Sequence, residues 1–212
     1  MNYRKDIDGL RAISVLSVIA FHSGINSFSG GYIGVDVFFV ISGFLITNLI
    51  HNDLKNRKFS FSDFYKRRVA RLLPSLSITL SLVLIFGFFF YDSESYDSLG
   101  KEVFFASFGA ANILFAEGIN YFAEDLAFRP LTHLWSLGVE EQFYLIWPLL
   151  LMILFKIKKN LIFYSAVLLF FFSFLLSIYS VSENQPKGYF LLHYRAFELL
   201  VGVITALLKS RN

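Results

Sequence analysis

Residues 161–182 read LIFYSAVLLFFFSFLLSIYSVS, twenty-two positions without a charge, and residues 72–91 read LLPSLSITLSLVLIFGFFFY, another twenty. About 20 mostly apolar residues in helical form cross the hydrocarbon of a bilayer. A helix that is apolar on every side is buried in a large core or in a membrane. These two runs decide the fold class: all-α, a polytopic transmembrane helix bundle. The remainder of the chain agrees. Of its 212 residues, 56% are hydrophobic and 17% charged, against about 45–50% and about 25% in a soluble domain. The chain has no Cys, which excludes disulfides, thiolate metal sites and cysteine nucleophiles.

Outward from these runs, the uncharged stretch 12–35 contains His22 and a Ser- and Gly-rich turn at 26–31. The turn divides it into spans at about 8–24 and 32–51. Further spans are predicted at about 134–155 and 191–208, giving six. The apolar run 103–116 is too short to cross, so 99–118 is read as an interfacial or re-entrant helix on the outer face. With the N-terminus cytoplasmic, fifteen of the nineteen Lys and Arg fall on the cytoplasmic side, the bias that the positive-inside rule demands. Membrane lipid, and not nucleic acid, is the expected partner of these basic residues. The first segment is a retained helix and not a cleaved signal: Arg11 interrupts it, no A-x-A site follows, and a second apolar segment comes at once.

Ionisable side chains within a membrane are costly and mark functional candidates. Arg11 and His22 are eleven residues apart, which places them about 20° from each other around one helix and roughly 16 Å apart along it. Arg11 is expected at the cytoplasmic mouth and His22 deep in the bilayer, with Asp8 one turn before Arg11 to hold the guanidinium. His22 suits proton transfer near neutral pH; equally, it is a residue that fixes packing between helices. In FSDFYKRRVARLLP (61–74), which reads as an amphipathic segment at the cytoplasmic interface, Arg68 and Arg71 share a face. They suit a phosphate or anchorage to anionic lipid. In LTHLWSLGVEEQFYLIWP (131–148), with His133 and Trp135 as supporting residues, Glu140, Tyr144 and Trp147 lie on one side and Glu141 about 100° away. One Glu is placed to meet a buried cation and the other a polar cavity, or both serve the helix dipole. Asp36 lies in GYIGVDVFFVISGFLIT (31–47), and Arg195 and Glu198 form an i,i+3 pair in YRAFELLVG (194–202). Gly34, Ser42, Gly43 and Gly202 permit close helix contact. Ser42 lacks the setting of a nucleophile elbow. His51, His133 and His193 show no metal-ligand spacing, so no metal is assigned.

Five motifs in order, DGLRAISVLSVIAFHS (8–23), GYIGVDVFFVISGFLIT, FYKRRVARLLP, HLWSLGVEEQFYLIWPLLL and YRAFELLVG, resemble acyltransferase family 3, and the resemblance covers nearly the whole chain. These are bacterial inner-membrane O-acyltransferases that modify cell-surface sugars. The resemblance implies a multi-pass protein using cytoplasmic acyl-CoA, usually acetyl-CoA, as cosubstrate and a glycan hydroxyl of the envelope, polysaccharide or lipopolysaccharide, as acceptor. It assigns His22 as the catalytic residue and Arg11, Arg68 and Arg71 to the acyl donor. His22 then acts either as general base or as a covalent acyl carrier.

Family members carry about ten membrane helices, often with an SGNH-type domain after them. Residues 1–212 are therefore expected to be the N-terminal part of a single transmembrane acyltransferase domain. A non-catalytic membrane fragment and a small-molecule transporter are the alternatives. A transporter should show two related halves with broken helices, and the sequence has no such symmetry.

Overall fold

The computed structural model describes residues 4–118, 129–183, 185 and 187–211, which form helices and turns with no strand among them. Helix α1 (Lys5–His22) leads through a 3-10 turn (Asn26–Phe28) to α2 (Ile33–Lys55). There follow α3 (Phe61–Phe90), α4 (Ser93–Ser107), α5 (Ala111–Gly118), α6 (Leu134–Ile157), α7 (Lys159–Ser182), the single turn α8 (Lys187–Phe190) and α9 (Leu192–Arg211). Five segments are long and apolar enough to cross a membrane: α2, α3, α6, α7 and Lys187–Ser210. Helix α1 stands beside these five with Lys5, Asp6, Asp8 and Arg11 in its first two turns.

The predicted spans shift in four places, each for a local reason. Helix α1 stops at His22 and not at residue 24, because Gly24 takes a positive φ of 71°. Its N–H reaches the Phe21 carbonyl at 3.1 Å and the Ile25 N–H reaches that of Ala20 at 3.3 Å, a Schellman stop that satisfies the last carbonyls. His22 is thus the last residue of α1 and is exposed.

The predicted surface segment 61–71 is instead the first third of α3. Ser60 caps the helix by accepting from the Asp63 N–H, and the helix continues through Pro74. Membrane helices tolerate such a proline; beside it, Ser75 Oγ donates to the Leu72 carbonyl at 3.1 Å.

The predicted outer helix 99–118 is two helices, α4 and α5, broken at Gly109 (φ 66°). The last span is preceded by α8, with Leu191 between.

Helix α9 packs against α2 and α7, α3 runs along α4, and α1 lies on α2. Two glycines set the closest approach. A Cβ on Gly43 would strike the Leu199 carbonyl, and one on Gly202 would strike that of Val40, so the α2 and α9 backbones touch where no side chain intervenes. Helices α4, α5 and α8 gather at the end of the bundle where α6 begins. Asn112 of α5 ties this layer together, accepting from Gln142 Nε2 at 2.8 Å and donating to the Phe190 carbonyl at 3.1 Å.

Candidate active site

Two cavities meet between α1, α2, α3 and α6. The first, about 300 Å³, is lined by Val15, Val18 and His22 of α1, Phe38 and Phe39 of α2, and His133, Trp135 and Glu140 at the start of α6. The second, about 470 Å³, is lined by Arg11, Ser42, Arg68, Arg71, Glu140 and Tyr144 among others. Leu137 and Glu140 belong to both walls. The two cavities lie one after the other along α1, from Arg11 to His22, roughly 16 Å of helix.

At one end the His22 and His133 rings stand edge to face, 4.6 Å between centroids. His133 precedes the first turn of α6, and burial holds its imidazole below the ordinary histidine range. The shift favours the neutral imidazole beside His22.

The other end is basic, and its three arginines are not equivalent. Arg68 Nη2 lies 2.9 Å from Glu141 Oε1 and 3.7 Å from Glu140 Oε2, and its Nε donates to Glu141 Oε1 at 3.0 Å. The guanidinium covers the Tyr144 ring at 3.4 Å. Arg11 and Arg71 make no ion pair among the described residues and face the same cavity. Glu141 is eight residues into α6, so Arg68 is drawn inward from the membrane surface. The two glutamates are what make its burial tolerable, since a buried charge needs a partner.

Ser42, set aside in the sequence as a nucleophile, donates to Glu140 Oε1 at 2.6 Å. Its position one residue before the Gly43 contact was the one available signal. Tyr65 was missed altogether: its hydroxyl donates to the Tyr144 carbonyl at 3.1 Å and anchors α3 on α6.

A third cluster backs the first cavity. Arg195 of α9 pairs with Asp36 of α2 at 2.5 Å and with Glu198 at 3.0 Å. Its guanidinium lies 5.6 Å from the Trp135 ring centroid and 5.9 Å from that of Phe39, so the cluster supports the wall that faces His22. Asp8 is not brought to Arg11. Its side chain makes no ion pair among the described residues, and Arg4 pairs with Asp6 instead. No group of three His, Asp or Glu residues among the described residues is placed to hold a metal.

The acyltransferase domain model of family 3 matches residues 4–211. The chain is 36% identical to the peptidoglycan O-acetyltransferase OatA of Listeria monocytogenes serovar 1/2a, over 99% of this chain and 35% of the relative. It is 38% identical to a putative O-acetyltransferase of Staphylococcus aureus strain MSSA476, over 98% and 35%. It is 35% identical to the O-acetyltransferase OatA of Staphylococcus aureus strain NCTC 8325, over 96% and 34%. The chain thus spans about a third of the length of the curated relatives it matches. No solved structure matches. With the family model covering all but the ends of the chain, and five helices able to span a bilayer, the chain belongs to the multi-pass membrane acyltransferases of family 3.

Proposed function

We propose that this chain is the N-terminal part of a transmembrane domain that moves an acetyl group from acetyl-CoA to a hydroxyl of a cell-wall glycan. The N-terminus is cytoplasmic, in the bacterial cytoplasmic membrane. The observation that carries the reading is that a basic cavity and a histidine cavity share the wall at Glu140 and follow one another along α1. Arg11 and Arg71 hold the phosphates of the donor, since their forks face the cavity without carboxylate partners. Arg68 is a positioning residue, fixed by Glu141 and Tyr144. The donor's arm lies along Val15 and Val18, which places the thioester at His22.

There the His22 imidazole takes the proton from the acceptor hydroxyl as its oxygen attacks the thioester carbonyl. The C–S bond breaks as the C–O bond forms, and the thiolate leaves and recovers the proton. Because donor and acceptor reach His22 at the same end of α1, direct transfer needs no acyl-histidine. Glycan acceptance follows the name of the Listeria relative, a peptidoglycan O-acetyltransferase.

The test uses membrane vesicles bearing the full-length protein, radiolabelled acetyl-CoA on the cytoplasmic side and a cell-wall glycan on the other. Arg71→Ala is expected to raise the KM for acetyl-CoA about tenfold, the loss of one charge-assisted contact, with little change in kcat. Label that never reaches glycan in the wild-type vesicles overturns the reading. An unchanged KM in Arg71→Ala removes the arginine assignment.

A further inference from the structure

Glu102 of α4 is a buried carboxylate that the transfer chemistry does not use. Its side chain is 4% exposed, and Arg129 Nη1 stands 3.4 Å from Oε1. Oε2 is buried with no hydrogen-bond partner. Burial outweighs the arginine and holds this carboxyl above the usual range. Leaving such an oxygen unsatisfied is costly, so its retention calls for a reason.

Glu102 and Arg129 line a cavity of about 530 Å³ together with Tyr91, Asp92, Glu94, Ser95 and Ser98. The cavity lies at the end of α3 and along α4, the same end of the bundle as His22 and His133. Arg129 is four residues before His133, at most about 14 Å of extended chain.

The lining selects among ligand classes. Three carboxylates against one guanidinium repel anions. No metal-holding group occurs among the described residues, so the carboxylates do not form a cation site. Hydroxyl and amide groups suit every element present. They donate to Glu102 and Glu94 and accept from Arg129 and Ser98, while Asp92 and Ser95 bond to each other at the start of α4.

We propose that this cavity is a docking subsite for a neutral or amine-bearing glycan strand, holding the acceptor so that a hydroxyl reaches the histidine cavity. This rests on the reading above that the acceptor is a glycan.

The test measures binding without catalysis. A fluorescent oligomer of four N-acetylated amino sugars is titrated against the full-length protein in nanodiscs, followed by anisotropy. Saturable binding is expected, weakened about tenfold in Glu102→Gln and in Arg129→Gln. Ser98→Trp fills the cavity from its exposed rim and leaves the Glu102–Arg129 pair intact; it should weaken binding to the same extent, which guards against misfolding in the first two variants. The titration contains no acetyl-CoA and reads no transfer, so a failure of the transfer reading and a failure of this subsite give different results. No saturable binding by the wild-type protein, wild-type affinity in both Glu102→Gln and Ser98→Trp, or equal binding of a polyanionic glycan such as a heparin fragment overturns the proposal.

Discussion

His22→Ala is expected to lower acetyl transfer about a thousandfold, the middle of the range for loss of a positioned general base. The protein should still insert and keep its helical content. The reason for this separation lies at the end of α1. His22 is exposed at the Schellman stop, and Gly24 and the backbone bonds around it, not the imidazole, terminate the helix. Alanine there removes the proton acceptor without opening a core cavity. His133→Ala should have a smaller effect. That ring precedes the first turn of α6, and its role is to set the position of the His22 ring from 4.6 Å away. The measurement is label transfer to glycan in vesicles, normalised to protein detected in the same membranes. Transfer by His22→Ala at the wild-type rate would remove the catalytic assignment, and helical content lost in step with activity would assign His22 to packing.

The second large effect is on stability. Gly43→Val and Gly202→Val place side-chain carbons against the carbonyls of Leu199 and Val40. Overpacking against side chains costs roughly 1–3 kcal/mol because those neighbours can move aside. Here the neighbour is helical backbone on both sides, so the two helices must separate, and a cost of about 3 kcal/mol or more is expected. Since α9 also packs against α7, separation of α2 from α9 loosens the wall behind Trp135 as well. Thermal unfolding in detergent, followed by circular dichroism, reads the effect as a lowered midpoint. Gly100→Ala is the control. Nothing lies within 4 Å of a Cβ at that position, and alanine favours the helix by about 1 kcal/mol. Equal midpoints for Gly43→Val and Gly100→Ala would refute the close α2–α9 contact.

How far the sequence could be read depended on the range of the physics involved. Runs 161–182 and 72–91 found their helices, α7 and the apolar part of α3, because the signal is local and the hydrocarbon sets the length. Of the basic residues in 61–71, Lys66, Arg67 and Arg71 are exposed as their charge suggests, and Arg68 alone departs from that reading. Arg68 enters the bundle only because Glu141, seventy-three positions later, is there to meet it. The Asp8–Arg11 expectation failed for the opposite reason. Proximity along the helix is not contact when a cavity lies on the other side of the guanidinium.

The residue types and the spacing from Arg11 to His22 were determined by the sequence alone. So were the all-helical bundle, made necessary by a composition that cannot satisfy water, and the matching of the chain to its family. Only the tertiary structure decided which charges meet. Ser42 with Glu140, Arg68 with Glu141 and Asp36 with Arg195 join positions 98, 73 and 159 apart. It also decided that Arg68 is paired with Glu141 while Arg11 and Arg71, on the same cavity, make no ion pair among the described residues. Pairings of that kind follow from helices packing at glycine contacts, and a short-range pattern of side chains carries no record of them.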